Sequence, residues 1–465
     1  EDIIGGNNSK FSNDVNTEVI TKRESDLLNE CIGSFFYILQ AKPEYWARVL
    51  NYIEMTGDLV EFSHGHIEDW ILKCFNYRDN DTNAVAEQTR EECLYVKLII
   101  CTFNLHISRL SHDSYKRMIK RRRELENSDV KYWELLLHAY LNLPPQRTLT
   151  KTLLGDAVFL ITSDDEVSFE CDPWKIFSNL VESSDKITEA QKINVDVGNL
   201  EPLDISCVEK EYVKNMQNLR ASVYEIFKYL KKIVSSIPIY IKCLCREFYE
   251  ALKSNKNVSD SYHLEMVGIV FIQCYVLPIF RNPANFSIDL FAISDDLAIV
   301  ETITRNIELA SILLNQCVLM RHFDVDQYPY LISLNPFIDE LSGQMKEFIN
   351  ELIDVPLTDV SYRKIMLESS QENMILKIQY DDIGELVCIW KEFLNEIFGD
   401  HGDLLYYSIK EIEESLGIDK KKGIRKLPCD QYGYTNIKLV DDKEEGVEKI
   451  VGEAMMLEVK KYMIY

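Results

Sequence analysis

The chain has 465 residues, 46% hydrophobic and 27% charged, an ordinary globular composition with enough length for two or three cores. A formal net charge of −25 repels a phosphate backbone and argues against nucleic acid as a partner. Only 17 Gly and 12 Pro are spread over this length, too few turn signals for a many-stranded sandwich or barrel, so long helices are expected.

The stretch through about Glu24 is polar, rich in Asn and Ser, and lacks the apolar centre of a signal peptide. Residues 1–26 read as a linker, and the missing initiator Met suggests a domain cut from a longer chain. Leu27, Leu28, Ile32, Phe35, Phe36, Ile38 and Leu39 then recur at helical spacing. After Pro43 a second stripe runs through Trp46, Val49, Leu50 and Ile53, predicting a helical hairpin. Glu68 to Phe75 and Arg90 to Leu105 predict another pair, joined by a polar link from Asn76 to Gln88. Asp172-Pro173-Trp174 supplies an N-cap and a Pro at the first helical position, starting a helix to about Val181. Ile193 to Ser206 reads as loop. A helix from Asn218 to about Ile237 carries Leu219, Val223, Ile226, Phe227, Leu230, Ile233 and Val234 on one face.

Leu264 to Phe286 is the most apolar stretch, and from Met266 to Tyr275 it is apolar on nearly every side, as a helix surrounded by others must be. Gln273, Pro278 and Pro283 interrupt it, short of the roughly 20 apolar residues that a membrane crossing needs. It therefore predicts the centre of a helical bundle that leads into a Pro-rich turn, Arg281-Asn282-Pro283-Ala284. Ser294-Asp295-Asp296 can cap a helix through Leu297 and Leu314, and Phe337 to Ile353 forms the next. Beyond Val355-Pro356-Leu357, Glu385 to Phe398, Leu404 to Leu416 and Lys443 to Tyr462 read as helices, with Lys420 to Val440 irregular. The 12 Cys include Cys93, Cys101, Cys243, Cys245, Cys274 and Cys388 within apolar runs, and none forms a C-x-x-C pair. They read as reduced thiols filling a core in a cytoplasmic setting.

Three segments in order carry a family likeness. Phe36-Tyr37-Ile38-Leu39-Gln40-Ala41-Lys42-Pro43-Glu44-Tyr45, Arg90-Glu91-Glu92-Cys93-Leu94 and Asn218-Leu219-Arg220-Ala221, with the buried helix before Pro278 and Pro283, resemble the GAP-related domain of IQGAP proteins, a branch of the Ras GAP superfamily. The resemblance covers roughly Gly33 to Leu357. It implies an all-α, Ras GAP-like helical bundle over 27–360, with a central part at about 131–320 and extra helices at about 27–130 and 321–360. A helical extension would occupy 361–465.

A GTPase-activating protein places one arginine against the charge that develops on the transferred phosphoryl group and uses a second to hold that finger loop. The resemblance puts the finger loop at Leu141 to Thr150, before a helix through Leu153 and Leu154, and puts Pro145 where the finger would stand. Arg147 lies two residues away, and a small displacement costs much of the rate. The second arginine, in a Phe-Leu-Arg triplet of the active proteins, falls on Ile272-Gln273-Cys274, so it is replaced by Cys274. Leu277 stands where the family usually has Asn. IQGAP proteins lack efficient GAP activity and bind GTP-loaded Rho-type GTPases of the Cdc and Rac kinds. The resemblance thus implies a binding module without catalytic residues, with Arg147, Thr148 and Lys151 on one side of the docking groove and Arg281 and Asn282 on the other. It further implies cytoskeletal partners through the full-length chain, a role in assembling the cytokinetic actomyosin ring, and a place in the cytoplasm at the cell cortex or division site.

Two rival readings stand beside it: a working GAP with Arg147 as a displaced finger, and a scaffold whose fold engages no GTPase. Other motifs point to no cofactor and no metal. Lys116 to Arg123, the one basic cluster in an acidic chain, reads as a solvated helix face, with an acidic partner or a calmodulin-like contact as the alternative. His64-Gly65-His66 lacks further ligands at metal spacing. Asp324-Val325-Asp326 begins like a calcium loop but has neither Gly at its sixth position nor Glu at its twelfth. Asp164-Asp165-Glu166 reads as exposed loop. No nucleotide-binding glycine motif occurs, which argues against a nucleotide hydrolase.

Overall fold

A computed structural model describes residues 22–56, 71–72, 74–75, 88–109, 131–162, 167–183, 186–254, 260–290, 296–354, 375–379 and 434–438, with scattered positions between 383 and 412. The chain divides into two compact units, 99–363 and a second made of 1–98 with 364–465. The motifs at His64 to His66, Lys116 to Arg123 and Asp164 to Glu166, and the helix expected over Lys443 to Tyr462, lie outside the described residues.

In the unit that joins both ends of the chain, α1 (Lys22–Ala41) and α2 (Glu44–Thr56) are helical on either side of Pro43 as expected, followed by α3 (Gln88–Arg109), whose residues from 99 onward belong to the other unit. Ile32, Phe35, Phe36, Leu39, Val49 and Leu50 are all fully buried. Gln40 crosses from α1 to donate its Nε2 to the Cys74 carbonyl at 2.6 Å. Trp46 and Trp390 pack edge to face at 4.8 Å, bringing a residue of the expected extension into the core beneath the first helices. A further departure is an antiparallel ribbon of β1 (Ile375–Gln379) and β2 (Tyr434–Lys438). The second strand falls in the stretch read as irregular. Thr and Tyr favour an extended backbone there, in a segment too short to show a period.

The larger unit is built from helices, with no strand among its described residues. It contains α4 (Tyr132–Leu141), α5 (Pro144–Thr162), α6 (Pro173–Ser183), α7 (Glu189–Asp196), α8 (Ser206–Ile233) and α9 (Ile239–Lys253). The central rod follows as α10 (Asp260–Val270), a π-turn (Phe271–Val276) and α11 (Leu277–Arg281), and then come α12 (Leu297–Leu319) and α13 (Asn335–Ile353). Both expected caps form: Asp172 Oδ1 accepts the Trp174 N–H at 2.9 Å and Asp296 Oδ1 the Ala298 N–H at 2.9 Å. Two boundaries differ from expectation. Ile193 to Asp196 is helical, because Thr188 and Gln191 cap each other's backbone and side chain and so start α7. The long helix begins at Ser206, well before Asn218. Its first turns bury Val208 in a small satellite core with Ile176, Phe177, Ile187, Val195 and Ile205.

The stretch Tyr262 to Arg281 is long and apolar enough to cross a membrane, yet 83% of its most apolar window is buried inside the bundle. It packs on α9, α12 and α13. Gly268 permits this closeness, since a Cβ there would lie 3.3 Å from Cγ1 of Ile349. Phe271 meets Phe348, which also meets Phe227, tying α8, the central rod and α13 into one aromatic core.

Candidate functional site

The segment expected to be a finger loop is mostly helix. Only Asn142 and Leu143 separate α4 from α5, which starts at Pro144. Proline lacks only an N–H that the first turn leaves unpaired anyway, and its fixed φ suits the helix, so Pro144-Pro145 starts α5 early. The Arg147 N–H donates to the Leu143 carbonyl at 2.9 Å, continuing the helical ladder. Pro145 and Arg147 thus sit on a rigid first turn. Pro145 is exposed and Arg147 half-buried.

Across from this turn, Pro278 imposes its own geometry on the central rod. A proline inside a helix removes one donor and crowds the carbonyl four residues back. The backbone answers with the π-turn, where the Leu277 N–H reaches the Ile272 carbonyl five residues earlier. After α11 the chain turns through a short 3-10 segment, Pro283–Phe286, and closes at Ser287 with a left-handed φ of 55°. The Ser287 N–H donates to Ala284 at 2.9 Å and the Ile288 N–H to Pro283 at 3.1 Å.

The five expected contact residues are brought to this one place by the packing of α5 on the turn. Lys151 Nζ donates to the Ser287 carbonyl at 2.7 Å, and Arg147 Nη1 lies 3.5 Å from the Asn285 carbonyl, a long contact. The Thr148 hydroxyl donates back to Pro144 at 2.9 Å, within its own helix. Arg281 and Asn282 are exposed at the rim. The cations of α5 therefore brace the turn. Asn285 and Ser287, whose carbonyls they hold, were not singled out from the sequence; a left-handed Ser gives no signal where Gly or Asn would have.

Beneath the surface, Cys274 is 5% exposed and lies within the π-turn. It borders a pocket of about 50 Å³ shared with His138, Asn142, Thr150, Tyr275 and Phe286. Burial pushes the Tyr275 phenol up to about 12, against the opposing pull of the Thr150 hydroxyl. Asp324, the start of the calcium-like motif, accepts the Asp326 and Gln327 N–H groups at 3.1 and 2.8 Å and so caps a turn. No cluster of metal-ligating side chains occurs among the described residues.

Residues 116–316 match the family described as GTPase-activator protein for Ras-like GTPase. The matched stretch takes in α4 through most of α12 and is similar to a Ras GAP domain. Three relatives carry the name Ras GTPase-activating-like protein. IQG1 of Candida albicans is 22% identical over 82% of this chain and 23% of its own length. The protein rng2 of Schizosaccharomyces pombe is 21% identical over 76% of this chain and 22% of its own. Mouse IQGAP2 is 20% identical over 94% and 27%. The chain spans about a quarter of the length of these curated relatives. Together these similarities support a GAP-related domain of the IQGAP family.

Proposed function

We propose that this domain binds a GTP-loaded small GTPase of the Rho family, Cdc- or Rac-like, without accelerating hydrolysis. The observation that carries this reading is the state of the two arginine positions. Catalysis in this fold needs one guanidinium projecting into the partner and a second holding it there. The position aligned with the second is a buried cysteine, Cys274, and the position aligned with the first is Pro145 on a helical turn. Arg147 is braced on the Asn285 side of its own domain, which disfavours its use as a finger.

The docking ledge in this proposal lies within 131–320 and uses Arg147, Thr148 and Lys151 of α5 with Arg281 and Asn282 of the turn. Arg281 makes no ion pair or hydrogen bond among the described residues, leaving a guanidinium for an acidic group of the partner. In the full-length protein the module would serve a cytoskeletal scaffold in actin and cytokinetic ring assembly, in the cytoplasm at the cortex or division site.

The test is binding to a panel of Rho- and Ras-type GTPases in GDP and non-hydrolysable GTP forms, with hydrolysis followed in parallel. The expected outcome is preference for one GTP form, hydrolysis unchanged or slowed, and a loss of about tenfold or more in affinity for Arg281→Glu. Faster hydrolysis that Arg147→Ala abolishes would make the domain an active GAP. Absence of binding across the panel would make it a scaffold with another partner.

A further inference from the structure

A cleft of about 330 Å³ opens on the other side of the Arg281 turn, between that turn and α12. Phe280, Ile307 and Tyr328 give it apolar walls. Two amide side chains of α12 line it as well, and one of them, Gln316, leaves a buried oxygen unsatisfied. Gln316 is 2% exposed, and its Oε1 has no hydrogen-bond partner. Asn315 is 4% exposed and spends only its Oδ1, which accepts from Gln273 Nε2 at 3.0 Å. A buried amide with bonds unmade is costly and uncommon, so its retention against a cleft points to a ligand that completes it. The lining also carries the exposed guanidinium of Arg281. The other charged group, Glu308, is already held by Arg305 at 2.7 Å.

We propose that this cleft binds an aromatic acid with a hydroxyl at the far end of its ring. The apolar walls take the ring. The hydroxyl donates to Gln316 Oε1 and accepts from the free amide N–H of Asn315, a pairing that one phenol can make alone. The carboxylate meets Arg281 in a charge-assisted contact. Such a group occurs on a free hydroxyphenyl acid and on a tyrosine at a peptide's C-terminus. The cleft's chemistry does not depend on GTPase docking, although Arg281 belongs to both.

The experiment titrates the full chain with 4-hydroxyphenylacetate, phenylacetate and tyramine by calorimetry and ligand-observed NMR. The expected result is saturable one-to-one binding of 4-hydroxyphenylacetate. Phenylacetate, lacking the hydroxyl, binds about threefold to tenfold more weakly. Tyramine, with a cation in place of the carboxylate, binds at least about tenfold more weakly. Gln316→Leu removes the advantage of the hydroxyl while keeping binding of phenylacetate. A peptide ending in free tyrosine, compared with its amidated form, assigns the source: tighter binding of the free peptide than of 4-hydroxyphenylacetate indicates a protein terminus, the reverse a small acid. No saturable binding of 4-hydroxyphenylacetate, or equal binding of all three probes, overturns the proposal. The ligand series on the unaltered chain decides this even if the variant fails to fold.

Discussion

Glu170 is the residue on which the segment before α6 depends. Its side chain is 9% exposed and accepts from Arg305 Nε at 2.9 Å and from the Asp172 N–H at 2.8 Å, with Lys175 Nζ 3.6 Å away. Burial by itself would raise this carboxyl, but the bonds from Arg305 and Asp172 and the charges of Arg305 and Lys175 outweigh it, and the net shift is downward. A carboxyl lowered in the folded state contributes stability that is complete above its unfolded value, about 4.3, and is lost as pH falls through the folded one. Glu170→Gln is therefore expected to cost about 2–3 kcal/mol near neutral pH, because it takes the buried carboxylate from Arg305 Nε and leaves that half-buried guanidinium with Glu308, and to cost progressively less in acid. Urea unfolding of both proteins at about pH 7 and about pH 3 checks this. An equal difference at the two values would show that the charge of Glu170 is not what stabilises the segment.

At the scale of elements, the central rod sets the geometry of everything around the ledge. Its fit against α13 rests on Gly268, where an added Cβ would sit 3.3 Å from Ile349 Cγ1, 3.5 Å from its Cδ1 and 3.7 Å from Val318 Cγ1. Gly268→Ala asks Ile349 to move by a few tenths of an ångström, and the helix propensity gained offsets much of that, so it is expected to be near neutral. Gly268→Val sets two further methyl groups on a Cβ that is already tight against Ile349 and is expected to cost about 1–3 kcal/mol. Denaturant midpoints of the pair distinguish a tight helix contact from a merely small residue, since a tolerated Val would mean that α13 is free to shift. The α5 helix carries the companion lesson. Its early start at Pro144 turns a segment expected to be a loop into a rigid edge, and that rigidity is what makes the brace from Lys151 to Ser287 possible.

For the molecule as a whole, the division into units follows core packing and not order along the chain. Trp46 and Trp390 are 1% and 0% exposed and pack on each other, with Tyr45 against the same Trp390 ring at 6.5 Å. Removing so large a buried side chain leaves a cavity that neighbours fill only partly. Trp390→Ala is expected to destabilise the unit built from 1–98 and 364–465 by about 3–5 kcal/mol. Thermal unfolding should then show an earlier first transition, with the transition of 99–363 in place. A single shift of the whole profile would mean that the two units unfold as one. The net charge of −25 keeps such a molecule dispersed in solution and gives Arg281, exposed and unpaired among the described residues, a setting in which a cation stands out.

Helix content, the caps at Asp172 and Asp296, the burial of the rod before Pro278 and the IQGAP likeness were all legible in the sequence. Each is written in a local signal, whether a helical period, a capping side chain or an ordered motif. The sequence also pointed to Arg147, Thr148, Lys151, Arg281 and Asn282, which lie on α5 and on the turn that packs against it. Tertiary structure alone decided what those residues do there, because the partners of Arg147 and Lys151 are backbone carbonyls 138 and 136 positions away. It alone decided the left-handed turn at Ser287 and the meeting of Trp46 with Trp390. The unspent amides of Asn315 and Gln316 belong with these. On a helical wheel they are two polar residues on an apolar helix, and only the elements packed around α12 left one of them without a partner.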